Sequence, residues 1–357
     1  MNSSVLPEQL LLRLQLLAPD HYQDILSGFE QQRVVSFRVN TLKGEVAAVS
    51  QDLKNAGYPL HQLKWWPAAF FVTDQEKQQI FHQDYIDGKL YVQGLSSMLP
   101  PLILDPQLND FILDLTAAPG SKTTQIAQLL NNTGHIIAND LSPIRIFKLQ
   151  ANLKQQGVTN TLTKRGPGEA LWRKFPEQFD RVLVDVPCTM EGRISVSDPK
   201  TYDDWSLKKI KELSTRQKML IRAAISAAKP GATIVYSTCT LAPEENEGVV
   251  SWLLEKEQGK VVVEEISLPH LGEDTQELIT GGVTSWQGEQ YDPQVAKTLR
   301  IYPSQTMEGF FVAKLRKLEP TVTAEALAAP APFSRKSRYR PSQYAVRKDG
   351  GSQHWRR

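Results

Sequence analysis

The chain contains two cysteines, Cys188 and Cys239, and each follows an apolar segment that predicts a β-strand. Asp185 lies at the end of the first of these segments, shortly before Cys188. A cysteine thiolate can add to a pyrimidine ring and make the neighbouring ring carbon nucleophilic. Because a free thiol has a pKa of about 8.5, only a small fraction is ionised at neutral pH, so the site must activate it. An inert buried cysteine is the usual alternative for either residue alone, but two at one site favour a chemical role.

Residues 111–125, FILDLTAAPGSKTTQ, predict a strand, a tight loop and the start of a helix. The apolar run ends at Asp114, and the chain then turns through residues 117–120, AAPG. Glycine permits close backbone approach, and the free N–H groups of a helix start favour an anionic ligand. An ordinary β–α turn is the alternative. A triphosphate-binding P-loop is excluded, because Ser121 and Thr116 stand where that motif requires glycine.

Asp140 ends the next predicted strand, 20 residues beyond Gly120. A carboxylate at this position can accept hydrogen bonds from ribose hydroxyls, although a helix N-cap before Pro143 is an equally sound interpretation. The glycine spacing differs from that of nicotinamide dinucleotide sites. S-adenosylmethionine fits better, with its carboxylate at the loop amides and its ribose at Asp140.

The alternation of predicted strands and helices supplies a scaffold for these residues. Strands are predicted at residues 111–114, 135–140, 161–164, 181–185 and 232–237. Helices are predicted at residues 121–130, 143–156, 207–228 and 243–255. This pattern indicates an α/β fold with a doubly wound parallel sheet, in which ligands bind at the carboxyl ends of the strands. A late strand at residues 309–315 is predicted to pair with residues 261–266.

The first 107 residues predict a separate small α+β unit and its linker to the catalytic domain, residues 108–317. Helices are predicted at residues 7–17, 20–29 and 46–56, and strands at residues 34–42 and 63–72. A sheet face of such a unit can bind RNA, and Trp65 and Trp66 could stack on bases, with burial of at least one as the alternative. Ser96 and Ser97 are predicted to cap a helix that leads into the catalytic domain.

Composition limits the class of protein. The apolar fraction of 41% and the aromatic fraction of 8% are sufficient for a folded core. No apolar run is long enough to span a membrane, and the N-terminus lacks the pattern of a signal peptide. Two cysteines cannot build a disulfide framework or a cysteine-rich zinc site, so we expect a reducing, cytoplasmic setting and no metal. A monomer is expected by default.

Residues 318–357 predict a Pro/Ala linker followed by a basic tail. The segment 334–357 carries eight Lys or Arg residues and one acid. Since the net charge of the chain is +2, the remainder carries −5. Such a tail favours contact with a polyanion such as RNA, and a solvated end without a specific role is the alternative.

Together these segments resemble the Sun-type (Nop/Sun, Fmu) RNA cytosine-5 methyltransferases, and most closely their bacterial small-subunit ribosomal RNA branch. The resemblance covers most of the chain. It rests on SFRVNTLK (36–43), YVQGLSS (91–97), DLTAAPGSKT (114–123), the Asp140/Arg145/Asn152/Gly157 pattern, DVPC (185–188), residues 203–221, KPGATIVYSTCTLAPEENE (229–247) and GFFVAKL (309–315).

The resemblance implies roles for individual residues. Cys239 would attack carbon 6 of the target cytosine, and Cys188 would assist release of the methylated RNA. Asp185 would hydrogen-bond the polar edge of the ring, with Lys122 close by. S-adenosylmethionine would be held by Thr116, Ala117, Ala118, Pro119, Gly120, Ser121, Lys122, Asp140, Arg145 and Asp185. The target base would leave its stack to enter this pocket.

The chain also departs from the family pattern. Thr189-Met190 follows Cys188 where the family has Ser-Gly, and residues 165–168 contain no clear match to the family's third acid, which contacts adenosine; Glu169 is the candidate replacement. The longer bacterial ribosomal RNA enzymes carry an additional C-terminal RNA-binding domain, whereas residues after 315 are expected to form only a linker and the basic tail. Two alternatives to a ribosomal RNA enzyme stay open: the same reaction on transfer RNA, and an RNA-binding assembly factor without catalysis.

Overall fold

The computed structural model describes residues 6–73, 87–273 and 278–322. The predicted basic tail and most of the linker before it lie outside the described residues. Within these ranges, no helix combines the length and the apolar character needed to cross a membrane.

The N-terminal part contains two helices followed by a small α+β sheet. Its elements are α1 (Glu8–Leu17), α2 (Tyr22–Glu30), β1 (Val35–Val39), α3 (Val46–Asn55), β2 (Leu60–Gln62), β3 (Ala69–Val72) and β4 (Leu90–Val92). The strands form an antiparallel four-stranded sheet in the order β2-β3-β1-β4. Apolar residues of the sheet, such as Phe37 and Phe70, pack in one cluster with Val49 and Leu53 of α3.

The prediction of one strand over residues 63–72 was wrong. Strands β2 and β3 form a hairpin instead, and the Leu63 N–H donates to the Ala69 carbonyl across its turn (3.0 Å). The apolar residues Trp65 and Trp66 lie in that turn, which explains why the segment looked like one continuous strand. Trp65 is buried in a core cluster and Trp66 packs against the same cluster, so the burial alternative holds for Trp65.

The helix that connects the two parts begins differently from the prediction. Helix α4 (Leu95–Leu104) has Gly94 at its N-cap, so the predicted capping role of Ser96 and Ser97 was wrong. Both serines lie in the first turn and reach other elements. Ser96 Oγ donates to the Glu308 carbonyl (2.6 Å), and Ser97 Oγ accepts from Lys122 Nζ (2.8 Å).

The second part is a large α/β unit. Its elements are β5 (Phe111–Asp114), α5 (Ser121–Leu129), β6 (His135–Asp140), α6 (Pro143–Gln155), β7 (Thr161–Arg165), α7 (Gly168–Leu171), β8 (Phe179–Asp185), α8 (Leu207–Ala227), β9 (Ala228–Thr238), α9 (Glu247–Glu257), β10 (Val261–Glu264), β11 (Ile279–Gly281), β12 (Ser285–Trp286), β13 (Glu289–Gln290), β14 (Leu299–Ile301) and β15 (Phe310–Lys317). Strands β12 and β13 form a separate two-stranded ribbon. The predicted helix over residues 243–255 is instead a 3₁₀ turn, Pro243–Glu245, followed by α9.

The nine-stranded sheet has the order β11-β14-β15-β9-β8-β5-β6-β7, and β10 pairs with β15. Strands β9, β8, β5, β6 and β7 are parallel, and β15 joins β9 in the antiparallel sense. The predicted pairing of the late strand with residues 261–266 is confirmed. Because β6 and β8 flank β5 on opposite sides, the carboxyl end of β5 is the topological switch point where doubly wound sheets bind ligands.

Helices cover both faces of the parallel strands. Leu113 of β5 and Val182 of β8 belong to a core cluster that includes residues of α8 and α9. Their neighbours Ile112 and Leu183 belong to a second cluster with residues of α4 and α5. This alternation is expected for strands whose two faces are both buried, and it confirms the doubly wound α/β architecture.

Candidate active site

The two thiols lie at the carboxyl ends of adjacent strands. Strands β8 and β9 are parallel with Asp185 opposite Ser237, so the loops that follow them leave the sheet side by side. Cys188 Sγ and Cys239 Sγ are 3.4 Å apart, and both cysteines are free. Cys188 is buried, whereas Cys239 is partly exposed. The structure therefore brings together the two residues on which the chemical hypothesis depends.

The surroundings of the two thiols differ. The hydrogen bond with the Cys239 sulfur and burial raise the pKa of the Cys188 thiol well above its usual value. Cys188 consequently keeps its proton at neutral pH. Cys239 is the more exposed of the pair and is the better placed to meet a substrate.

Asp185 is held in a fixed orientation beside the thiols. Its Oδ2 accepts a hydrogen bond from Lys122 Nζ (2.7 Å), and its Oδ1 accepts one from Ser237 Oγ (2.8 Å). Lys122 also lies 5.7 Å from the centre of the Phe310 ring. The predicted catalytic residues Cys188, Cys239, Asp185 and Lys122 thus form one cluster, and Ser237, which the sequence did not single out, orients the carboxylate.

The loop after β5 is fastened from several elements. The Thr116 hydroxyl donates to the Asp185 carbonyl (2.8 Å), and the Ala117 N–H donates to the Asn139 carbonyl (2.7 Å). The Ala118 carbonyl accepts a hydrogen bond from the Arg145 guanidinium, and the Pro119 carbonyl accepts one from Asn152 Nδ2 (2.8 Å). The Arg145 and Asn152 side chains from α6 therefore shape the loop that the sequence assigned to the cofactor.

The end of this loop has the features of an anion cradle. Gly120 has a φ of +112°, and a Cβ added there would lie 2.8 Å from Leu149 Cδ1, so only glycine fits. Helix α5 begins at Ser121, and no side chain caps its first N–H groups. Free helix N–H groups behind a glycine turn suit a carboxylate.

Asp140 is the second predicted contact with the cofactor. Its side chain is almost fully buried, its Oδ1 accepts from the Ser142 N–H (3.0 Å), and its Oδ2 lies 3.5 Å from the Arg145 guanidinium. Ser142 rather than Asp140 is the N-cap of α6, so the capping alternative for Asp140 was wrong. The anion cradle suits the carboxylate of S-adenosylmethionine, and the Asp140 carboxylate beside it suits the ribose hydroxyls. The residues present therefore fit this cofactor.

Two departures from the family pattern have structural explanations. Met190 adopts a left-handed conformation with φ +60°, which glycine adopts at no cost, so the glycine of the family pattern would suit this position. Glu169 lies after β7, and its Oε1 accepts from Arg216 Nε of α8 (2.9 Å). Its predicted contact with adenosine stays a prediction.

Sequence reasoning missed the buried polar residues that support the site. Glu245 and Asn246 of the PEEN segment contact the loops that carry the cysteines, and Asp114 lies under the cofactor loop. Burial raises the pKa of Asp114 to about 7. In the sequence, only Asp114 directly follows an apolar run; Glu245 and Asn246 lie six and seven residues after Cys239 and carry no such signal.

Comparisons with known proteins match both parts of the chain. Residues 101–316 match the family model of 16S rRNA methyltransferase RsmB/F, and residues 6–94 match that of the N-terminal domain of 16S rRNA methyltransferase RsmF. The ribosomal RNA small subunit methyltransferase F of Vibrio cholerae is 36% identical over 95% of this chain and 70% of its own length. The tRNA (cytosine(49)-C(5))-methyltransferase of Pyrococcus abyssi is 39% identical over 79% of this chain and 88% of its own length.

Solved structures agree with these matches. A methyltransferase homologue from Pyrococcus horikoshii superposes with a TM-score of 0.77 at 30% identity, over 88% of this chain and 96% of that protein. NSun6 from the same organism, solved with SFG, gives a TM-score of 0.70 at 26% identity, over 88% of this chain and 98% of that one. Because this share of the chain exceeds the large α/β unit, both likenesses extend into the N-terminal part.

Proposed function

The chain belongs to the 16S rRNA methyltransferase RsmB/F family, and we propose that it forms 5-methylcytosine in small-subunit ribosomal RNA through a covalent adduct on Cys239. The pair of thiols at 3.4 Å carries this proposal. A protein that only binds RNA has no need of two cysteines beside a fixed carboxylate and a buried lysine.

The proposed reaction uses Cys239 as the nucleophile and Asp185 as the group that orients the ring. The Cys239 thiolate forms a bond to carbon 6 of the cytosine, and the displaced electron pair makes carbon 5 nucleophilic. Asp185, oriented by Lys122 and Ser237, hydrogen-bonds the polar edge of the ring. Once carbon 5 has formed a bond to the incoming methyl group, loss of the carbon 5 proton to a base and cleavage of the Sγ–C6 bond return the free thiolate and the methylated base.

S-adenosylmethionine would supply an electrophilic methyl group to carbon 5 when it is bound. The residues proposed to hold it are the loop from Thr116 to Lys122, with Asp140 at the ribose. Arg145 contacts both this loop and Asp140, so we assign it the positioning of the cofactor site. Helix α5 contributes its first N–H groups.

Transfer RNA is a second candidate substrate. It is favoured by the Pyrococcus abyssi relative, which is named as a tRNA enzyme and is 39% identical to this chain. Ribosomal RNA is favoured because residues 6–94 match the model of an N-terminal domain that carries the RsmF name. The catalytic chemistry would be the same for either RNA.

The direct test measures transfer of labelled methyl from S-adenosylmethionine to size-separated RNA from cells that lack this protein. We expect label in small-subunit ribosomal RNA as 5-methylcytosine, and none with Cys239→Ala. Label in transfer RNA would keep the chemistry and change the substrate. Absence of label in naked RNA and in intact subunits, despite cofactor binding, would favour an assembly factor.

A further inference from the structure

Glu245 holds the loop that carries Cys188. Its carboxylate is fully buried, and its Oε2 accepts from the backbone N–H of Thr189 (3.1 Å), the residue that follows Cys188. Its Oε1 forms a short hydrogen bond with the Thr189 hydroxyl. Gln217 Nε2 of α8 donates both to Glu245 Oε2 (2.7 Å) and to the Pro187 carbonyl (2.8 Å). The carboxylate is thereby fixed to both sides of Cys188.

Asn246, the next residue, holds the loop that carries Cys239. Its Oδ1 accepts from Thr238 Oγ1 (2.6 Å), and its Nδ2 donates to the Thr240 carbonyl (3.0 Å). Thr238 and Thr240 are the residues on either side of Cys239. All three side chains are fully buried, so these hydrogen bonds do not compete with solvent.

The two halves meet at one hydrogen bond. Thr189 Oγ1 and Thr240 Oγ1 share a hydrogen bond (2.7 Å), which connects the loop bonded by Glu245 to the loop bonded by Asn246. The ladder between β8 and β9 ends at the pair Asp185 and Ser237, before either cysteine. Beyond it, the Gly192 N–H donates to the Cys239 carbonyl (3.0 Å) as a separate tie. The strands alone do not fix the separation of the two thiols.

We propose that the dipeptide Glu245-Asn246 is a clasp that sets the separation of the Cys188 and Cys239 sulfurs, with Glu245 as its positioning residue. The inference rests on the proposed function for its consequence in catalysis, but the juxtaposition of the thiols can be measured without catalysis. Within the described residues, the hydrogen-bond donors to Glu245 are neutral groups. A buried carboxyl that faces neutral donors serves geometry rather than charge pairing.

The hydrogen-bond pattern predicts which substitution is tolerated. Burial, reinforced by the nearby charge of Glu191, raises the pKa of Glu245 to about 8, so the carboxyl is largely protonated at neutral pH. Glutamine reproduces this form, because its oxygen can accept from the Thr189 N–H and Gln217 while its NH₂ donates to the Thr189 hydroxyl. Leucine fills the volume and removes every bond of the clasp to Thr189 and Gln217.

The test is capture of both thiols by arsenous acid, which condenses with two adjacent cysteines to form two As–S bonds and release two molecules of water. The adduct is counted by intact-protein mass spectrometry, and single-thiol alkylation by iodoacetamide serves as the reference rate. We expect Glu245→Gln to capture arsenic within about twofold of the wild type, and Glu245→Leu to lose about tenfold or more relative to alkylation. The kcat for methyl transfer should fall with capture, while S-adenosylmethionine affinity stays constant.

Glu244→Gln is the matched control, since Glu244 bonds Arg13 and Trp286 instead of the cysteine loops. Thr189→Val removes only the hydroxyl link and decides the question if Glu245→Leu does not fold. Arsenic capture at the wild-type rate by folded Glu245→Leu or by folded Thr189→Val would overturn the clasp. Normal capture with lost methyl transfer would also overturn it. Lost capture in Glu245→Leu and Thr189→Val, with normal capture in Glu245→Gln, would support it even if no RNA substrate were found.

Discussion

At the scale of single residues, the two thiols differ in burial and protonation, and this asymmetry supports the roles proposed for them. Cys188 retains its proton because of its hydrogen bond to Cys239 and its burial, which raise its pKa. A thiol that stays protonated 3.4 Å from the other sulfur can donate a hydrogen bond to a thiolate at that position. In the proposed mechanism this hydrogen bond would stabilise Cys239 as the leaving group when the adduct breaks down.

Replacing Cys188 should therefore slow the last step, so that the reaction accumulates at the covalent adduct. We expect Cys188→Ala to form the covalent RNA adduct and to release product about tenfold or more slowly, the factor expected for losing a hydrogen bond to a charged group. The adduct would appear as a protein band of reduced mobility in denaturing gels. Cys188→Ala/Cys239→Ala is the control and should show no such band. Rapid release by Cys188→Ala would contradict this role.

Asp114, at the end of β5, makes stability depend on pH. Burial raises its pKa to about 7, although the Thr123 hydroxyl donates to its Oδ2 (2.6 Å) and acts in the opposite direction. The folded protein thus keeps a proton that the unfolded chain releases near pH 4. Its contribution to stability is complete at low pH and is lost as the pH rises from about 4 to about 7.

Asp114→Asn should remove this dependence. The free energy of unfolding of the wild type should fall relative to the variant by up to about 1.4 kcal/mol per pH unit between pH 4 and 7, and level off above that window. Urea denaturation at pH 5, 6, 7 and 8 provides the measurement. A difference between the two proteins that is independent of pH would show that Asp114 does not titrate in this range.

At the scale of elements, a buried arginine joins the small sheet to the helix of the cofactor loop. Arg38 of β1 is fully buried and donates to Gln93 Oε1 (3.0 Å), Gln128 Oε1 (2.5 Å) and Thr124 Oγ1 (2.6 Å). Gln128 and Thr124 belong to α5, whose start forms the anion cradle. Burial lowers the pKa of Arg38 to about 9, which shows how far the guanidinium is removed from water.

Arg38→Met should separate these elements. It leaves three buried polar groups without their donor, so we expect the free energy of unfolding to fall by at least about 3 kcal/mol. Affinity for S-adenosylmethionine should fall as well, because α5 loses its tie to β1. Chemical denaturation and calorimetric titration measure the two effects. Arg173→Met, which removes an arginine that stacks on Trp172, is the control; equal losses in both variants would count against the coupling.

Sequence reasoning succeeded where structure is local. The strands at 111–114 and 135–140 have the predicted boundaries, because apolar runs that end at a polar residue define the carboxyl edge of a parallel sheet. The cluster of Cys188, Cys239 and Asp185 follows from that edge alone. The hairpin around Trp65 and the hydrogen bonds of Arg38 depend on tertiary packing. The identity of a buried polar residue does not indicate in the sequence which distant residue it will bond.

At the scale of the whole molecule, charge is distributed unevenly along the chain. The segment 334–357 carries +7, whereas the remainder carries −5, although the total is only +2. An acidic body repels the RNA backbone at long range, so attraction must come from local cationic groups. The tail is the largest such group in the sequence, so we expect it to contribute to RNA binding.

Deletion of residues 334–357 should therefore weaken RNA binding and flatten its dependence on salt. Each tail cation that neutralises a phosphate contributes about 0.7 to the slope of log K against log salt for single-stranded RNA, so the slope should fall by that amount for every phosphate that the deletion leaves without its cation. A full-length variant with the eight tail cations replaced by glutamine is the matched control and should behave like the deletion, because the effect depends on charge rather than length. Affinity for S-adenosylmethionine should be unchanged in both. An unaltered salt slope would mean that the tail is a solvated end and that RNA is held by the folded part of the chain alone.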